Sequence, residues 1–139
     1  MVTLDCAEEG DWPRWSALDG HMARAEYAVK VRERRAFFVR DGAARAGVLR
    51  YNLFWDQIPF LTLIFLEPRF RGKGVGREAM RLWEERMRSL GHPLTMTSTQ
   101  SDEGAQHFYR KLGYRDAGCL LLDVPPFCQP LEIFLLKAL

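Results

Sequence analysis

Cysteine is scarce in this chain, and where it occurs it forms no pattern. Cys6, Cys119 and Cys128 are odd in number and include no C-x-x-C pair, which argues against a disulfide framework and makes a reducing cytoplasm the expected compartment. Histidine is equally sparse. His21, His92 and His107, taken with the cysteines, show no metal-ligand spacing, so no metal is expected. No apolar run approaches the roughly 20 residues that a membrane-spanning helix needs. The opening MVTLDCAEEGDW has neither a basic n-region nor an apolar h-region, so neither a membrane partner nor a signal peptide is expected. A net charge of +2 offers no basic surplus for nucleic acid. Repeats, low-complexity tracts and interdomain linkers are absent as well, and residues 1–139 are read as one domain.

What the chain does have is an alternation of apolar runs and helical stripes. Val2 to Leu4 suggests a short first strand. Asp11-Trp12-Pro13 reads as a helix start with Asp11 as N-cap, running to about Leu18. A second helix is expected from about Met22 to Arg34. Arg35–Arg40 and Arg45–Phe54 flank Asp41-Gly42 and predict a hairpin. Phe60–Leu66 is apolar at almost every position, as in a central strand covered on both faces. From Val75 the apolar positions Ala79, Leu82, Trp83, Met87 and Leu90 follow at helical steps, with Glu84 and Arg88 spaced to pair. Leu94–Thr99 predicts a strand. Ala105, Phe108 and Leu112 predict a short helix stopped by Gly113. Cys119–Val124 and Leu131–Leu136 predict the last two strands. The second is apolar enough that, at a sheet edge, it would need covering, which predicts a homodimer through it.

The chemistry concentrates in Arg71-Gly72-Lys73-Gly74-Val75-Gly76-Arg77, between the central strand and the long helix. A strand, a glycine turn and a helix N-terminus together make a generic anion site. A nucleotide P-loop is excluded, because Gly72-Lys73 is followed by Gly74 and not by a hydroxyl residue. Gly74-Val75-Gly76-Arg77-Glu78-Ala79 matches the dinucleotide fingerprint, and a dinucleotide-binding protein is therefore one alternative. Its context is wrong: Pro68 to Lys73 separates strand from glycine, and no carboxylate ends the next strand.

The remaining pattern is R-x-x-G-x-G at Arg71, Gly74 and Gly76, and here the chain resembles the GNAT superfamily of N-acetyltransferases. Leu66 to Gly76 is similar to that family's acyl-CoA motif. Ala105 to Tyr114 (AQHFYRKLGY) is similar to its A-x-x-F-Y-x-K-x-G-[FY] helix. The two motifs stand in the family's order, and the resemblance runs from about Arg35 to the C-terminus.

The resemblance implies an α/β GNAT fold of the α+β type. Such a fold has a mixed, mostly antiparallel sheet of about six to seven strands, helices on both faces and a central V-shaped splay. It implies transfer of an acyl group, usually acetyl, from acetyl-CoA by direct attack of an amine. The acceptor would be a small molecule or a peptide or protein amine. The N–H groups of Gly72 to Arg77 would cradle the pyrophosphate, with charge added by Arg71, Lys73 and Arg77. Phe65 and Leu66 would line the thioester arm, and the Leu66 N–H would face the thioester carbonyl. Tyr109 falls at the family's general-acid position, although spacing alone favours a packing residue. Asp102 stands where the family often has Asn, and is a candidate either for a cofactor contact or for a helix N-cap. Glu67, Asp56 and His21 are candidates for the base. Trp12, Trp15, Tyr27, Phe54 and Trp55 are either acceptor-site aromatics or core. A non-catalytic acyl-CoA-binding or sensing domain on the same fold is the second alternative.

Overall fold

The computed structural model describes residues 1–139. It contains strands β1 (Val2–Cys6), β2 (Ala36–Asp41), β3 (Ala44–Phe54), β4 (Ile58–Leu66), β5 (Leu94–Gln100), β6 (Arg115–Leu120) and β7 (Glu132–Ala138). The helices are α1 (Trp12–Leu18), α2 (Arg24–Arg32), α3 (Val75–Ser89) and α4 (Ala105–Lys111). Hydrogen bonding orders the strands β1-β2-β3-β4-β5-β7-β6. The β4–β5 pair is parallel, and β1–β2, β2–β3, β5–β7 and β6–β7 are antiparallel. This is the mixed, mostly antiparallel sheet that the motifs implied. The chain packs as two compact units, Met1–Asn52 with Thr62–Arg86, and Leu53–Leu61 with Met87–Leu139.

In the first unit, β2 shows why both sheet faces are covered. Ala36, Phe37, Phe38 and Val39 are all buried, yet successive strand residues point to opposite faces. Ala36 and Phe38 join Val48 of β3 in a cluster with Trp15 of α1 and Tyr27 of α2. Phe37 and Tyr51 face α3, where Arg86 lies over the Phe37 ring and Trp83 meets Tyr51 edge-on at 5.6 Å. The α3 stripe is Val75, Ala79, Met80, Trp83 and Met87. Leu90, expected to belong to it, lies exposed beyond the helix end. The exposed ion pairs of α3 join Arg81 to Glu78 and Glu85, and Glu84 is buried. Asp11 does occupy the N-cap position of α1, but its side chain does not cap that helix. It accepts instead from the Glu8 N–H at 3.0 Å and from Arg45 at 3.2 Å.

In the second unit β4 and β5 share two rungs, Phe60↔Met96 and Leu61↔Thr97. From Ile58 to Leu61 the burial of β4 alternates; from Thr62 onward every residue is half-buried. The reading of β4 as a strand covered throughout is therefore corrected: its β5 ladder ends at Leu61. A Trp55-Asp56 turn, both residues with positive φ (53° and 62°), reverses β3 into β4. That backbone matches the twist of a two-residue hairpin but normally selects Asn-Gly.

Two strand expectations shift here. The penultimate strand is Arg115–Leu120, not Cys119–Val124. Gly113 at φ 96° ends α4, and the Tyr114 N–H closes back on the Tyr109 carbonyl at 3.1 Å, so extended chain begins at once. Further on, Pro125, Pro126 and Pro130 lack the donors a ladder needs. The last strand, β7, is not an edge. It pairs with β5 along seven residues and with β6 on its other side. The edge on that side is β6, with all six residues exposed, so the reason for expecting a dimer through the C-terminal strand is gone.

Candidate functional site

The anion-binding half is built by β4, the glycine turn and α3. Pro68–Phe70 forms one 3₁₀ turn after the strand. Gly72 and Gly74 then adopt φ of 73° and 83°, which L side chains rarely tolerate. No neighbouring atom lies within 4 Å of a Cβ built at Gly72, and at Gly74 only Arg77 does, so backbone angle and not space selects these glycines. The first intrahelical bond runs from Glu78 N–H to the Gly74 carbonyl at 3.0 Å. The N–H groups of Gly74, Val75, Gly76 and Arg77 precede it and have no intrahelical acceptor. Arg71, Lys73, Gly74 and Arg77 are exposed, while the Val75 side chain is buried and only its backbone is available.

Arg71 does more than add charge. Its Nε donates to the Leu66 carbonyl at 2.8 Å, and its guanidinium lies 5.2 Å from the Phe65 ring centroid. It thereby ties the glycine turn back to the end of β4. The Glu67 N–H donates to the Ala46 carbonyl of β3 at 2.9 Å. Because backbone groups alternate along a strand, the Leu66 N–H points away from β3. Glu67 itself pairs loosely with Arg69 at 3.6 Å.

Gly47 is the residue of this half that motif reading missed. A Cβ there would lie 2.0 Å from the Phe65 carbonyl oxygen and 2.9 Å from Leu66 Cα. Nothing in β4 can yield that distance without moving the backbone of Phe65 and Leu66. An isolated glycine inside the strand pattern RAGVLRYNLF was the available signal, since such a glycine often marks close backbone approach.

The second unit holds Tyr109, the buried residue of α4, at 6% exposure. The buried face of α4 is thus centred on Tyr109, with Ala105, Phe108 and Leu112 half-buried around it. Burial raises the Tyr109 pKa above 10, a hydrogen bond with the Thr97 side chain partly opposes this, and Glu103 adds to the rise. The phenol is therefore protonated at neutral pH. Thr97 Oγ1 in turn donates to the Leu61 carbonyl at 3.0 Å, and Thr95 Oγ1 lies 2.9 Å from the Tyr114 hydroxyl. Asp102 is exposed in the turn before α4, and the N-cap is Gly104, so the N-cap reading of Asp102 fails.

The aromatic residues separate into two kinds. Trp15 and Tyr27 are core, their rings tilted at 48° with centroids 5.4 Å apart, and the Tyr27 hydroxyl donates to the Glu8 carbonyl at 2.5 Å. Trp12 is half-buried against them. Trp55, by contrast, is 76% exposed at the hairpin tip, 4.8 Å from the Phe54 ring. His21 and Asp56 are exposed as well. No helix is long and apolar enough to cross a membrane.

Comparison with known proteins gives a consistent result. Residues 4–114 match the family described as "Acetyltransferase (GNAT) family". A mycothiol acetyltransferase of Corynebacterium efficiens is 28% identical over 108 residues, which are 77% of this chain and 35% of that protein. The chain thus spans about a third of that relative's length. Among solved structures, Ard1 from Thermoplasma volcanium superposes with a TM-score of 0.81 at 16% identity, covering 99% of this chain and 97% of that one. Arabidopsis thaliana Naa50, in complex with the bisubstrate analogue CoA-Ac-MVNAL, gives 0.78 at 12% identity, with 99% of this chain and 99% of that chain covered.

Proposed function

Because the chain belongs to the acetyltransferase (GNAT) family, we propose that it moves an acetyl group from acetyl-CoA to a primary amine by direct attack. The observation that carries this reading is the tie between turn and strand. Arg71 joins the positive-φ glycine turn to the Leu66 carbonyl. One rigid piece can then hold the pyrophosphate at the α3 N-terminus and present the Leu66 N–H to the thioester carbonyl. The backbone cradle matters more than any one basic side chain, since a charge at an exposed helix end is worth only about 0.3–1 kcal/mol. Gly72, Lys73, Gly74, Gly76 and Arg77 would contact the pyrophosphate, and Phe65 and Leu66 the arm.

The amine attacks the thioester carbonyl carbon, and the Leu66 N–H stabilises the oxyanion that forms. The C–S bond then breaks with its electron pair on sulfur. Tyr109 supplies the proton that turns the departing thiolate into CoA thiol. The amine gives up its proton to water, and the phenolate regains one from water, so protons balance. The acceptor amine belongs to a small molecule or to a peptide or protein. Mycothiol acetyltransferase and the peptide-linked analogue bound to Naa50 illustrate those two classes in relatives.

The test is release of CoA thiol from acetyl-CoA across a panel of small amines, polyamines and short peptides. Tyr109→Phe is expected to lower kcat by about 10²-fold or more while leaving acetyl-CoA binding intact. Binding of acetyl-CoA without thiol release for any amine would favour a non-catalytic acyl-CoA sensor. Thermal stabilisation by NAD and not by CoA would overturn the reading.

A further inference from the structure

The strands of the second unit have two faces, and α4 takes one of them. Thr95 of β5 meets the Tyr114 hydroxyl at 2.9 Å, and the Tyr114 ring lies 5.9 Å from that of Tyr109, so α4 packs on the threonine face. Side chains alternate along a strand, which puts Ser98, Phe134 and Glu132 on the other face, with Ser98 opposite Phe134 in the β5–β7 ladder. Glu132 is half-buried there. The Ser98 hydroxyl donates to its Oε2 at 2.8 Å, and the Gln129 side-chain amide donates to its Oε1 at 3.3 Å. Both donors are neutral, and a carboxylate offers about four lone-pair sites, so the charge is positioned without being neutralised. An aromatic row starts beside it. The Phe134 ring meets Phe60 edge-on at 5.9 Å, Phe60 stacks on Phe54 at 6.1 Å, and Phe54 leads at 4.8 Å to the exposed Trp55. Gly118 is the β6 partner of Phe134, and no atom lies within 4 Å of a Cβ built there, so that flank of Phe134 is open.

We propose that this face is the acceptor subsite and that it takes an arylalkylammonium, with Glu132 binding the ammonium and the aromatic row stacking the ring. This rests on the acetyl-transfer reading. Because α4 fills the threonine face, an acceptor that reaches a thioester served by Tyr109 comes from the opposite face. An ammonium completes what Ser98 and Gln129 leave open, since hydrogen bonds between an ion and a carboxylate are stronger than those from neutral donors. Aromatic faces add to the attraction of a cation, and ring–ring contact favours an aromatic body over an alkyl chain. A polyamine would set its further charges against phenylalanine rings, and a sugar amine would set its hydroxyls there, each without a partner and at a desolvation cost. Glu132 binds and keeps its charge throughout. The bound ammonium loses its proton to water, and the free amine then attacks the thioester carbonyl carbon.

The closing experiment has two readouts. The first is CoA thiol release from acetyl-CoA with phenethylamine, hexylamine and spermidine. Phenethylamine should show the lowest KM, several-fold below hexylamine. Glu132→Gln should raise the phenethylamine KM about tenfold or more with KM for acetyl-CoA unchanged. Phe134→Leu should narrow the gap between phenethylamine and hexylamine. The second readout needs no turnover: calorimetric binding of phenethylammonium to the protein alone, which Glu132→Gln should weaken by the same factor. A preference for spermidine, or a phenethylamine KM that Glu132→Gln leaves unchanged, overturns the proposal. Thiol release from other amines with no phenethylammonium binding would sink the subsite alone. Glu132-dependent binding of phenethylammonium with no thiol release from any amine would instead sink the acetyl-transfer reading and keep the ammonium site.

Discussion

Two buried polar clusters hold helices to the sheet, and they are built from opposite chemistry. Under α1 and α2 the cluster is ionic. Asp19, fully buried, accepts from Trp15 Nε1 at 3.1 Å, from the His21 N–H at 3.1 Å and from Arg50 Nε at 2.7 Å. Nearby, Lys30 donates to Asn52 Oδ1 and to the Tyr51 carbonyl. Against α4 the cluster is neutral. Thr95, Thr97 and Thr99 share one face of β5; Thr95 Oγ1 lies 2.9 Å from the Tyr114 hydroxyl, and Thr97 Oγ1 donates to the Leu61 carbonyl at 3.0 Å. The contrast has a functional reading. The carboxylate holds fixed donors in place and keeps its charge, so the helix ends do not shift. The hydroxyls carry no charge and can each donate or accept, so this cluster can exchange partners without exposing a buried ion.

The largest expected effect breaks the ionic cluster. Asp19→Ala leaves the Arg50 guanidinium without its carboxylate and three donors without an acceptor. Removing one partner of a buried pair typically costs about 3–5 kcal/mol. The urea midpoint should fall by the corresponding amount with little change in m. A loss below about 1 kcal/mol would mean that the cluster holds nothing. Burial pushes the Asp19 carboxyl up, but bonds from Arg50, the His21 N–H and Trp15 outweigh it, so its pKa lies below 3.8. Its contribution is therefore present above the unfolded value and is lost as pH falls through the folded one.

Lys30 supplies the next effect, of opposite sign. Burial, and then the like charge of Arg50, lower its pKa from 10.5 to about 8. Between these values the unfolded chain binds the extra proton, so stability rises with pH across the window. Below about 8 the cost of burying the ammonium is fully present, on the order of 3 kcal/mol. The stability difference between Lys30→Met and wild type should move by most of that amount, in favour of wild type, from pH 7 to pH 10. Parallel pH profiles for the two proteins would show that Lys30 is not penalised. The hydroxyl cluster should give no comparable slope in this range.

Why one cluster was legible and the other not follows from sequence distance. Tyr109 lies inside a local motif, Ala105 to Tyr114, and was readable there. Asp19 reads locally as Asp19-Gly20, a helix stop, and nothing near it announces Arg50, 31 positions away. The strand LTMTST was readable as a strand, but the partner of its Thr95, Tyr114 beyond the end of α4, was not. β6 was misplaced because Cys119–Val124 is more apolar than Arg115–Leu120, whereas pairing with β7 is a backbone matter that ignores side-chain polarity. Gly47 was legible in principle, and its meaning came only with Phe65 set against it.

The smallest effect tests whether the hydroxyl row is uniform. Thr95 Oγ1 shares a hydrogen bond with Tyr114, but Thr99 Oγ1 is buried without a partner. Valine replaces threonine at nearly constant shape, so the same substitution isolates the hydroxyl in each place. Thr95→Val should destabilise by about 1 kcal/mol, the net worth of a hydrogen bond. Thr99→Val should stabilise by about 1 kcal/mol or more, because it removes a desolvated hydroxyl that gains nothing in return. Denaturant midpoints of the two variants should therefore move in opposite directions from wild type. Movement in the same direction would mean that Thr99 is bonded in solution and that the three hydroxyls form one continuous row.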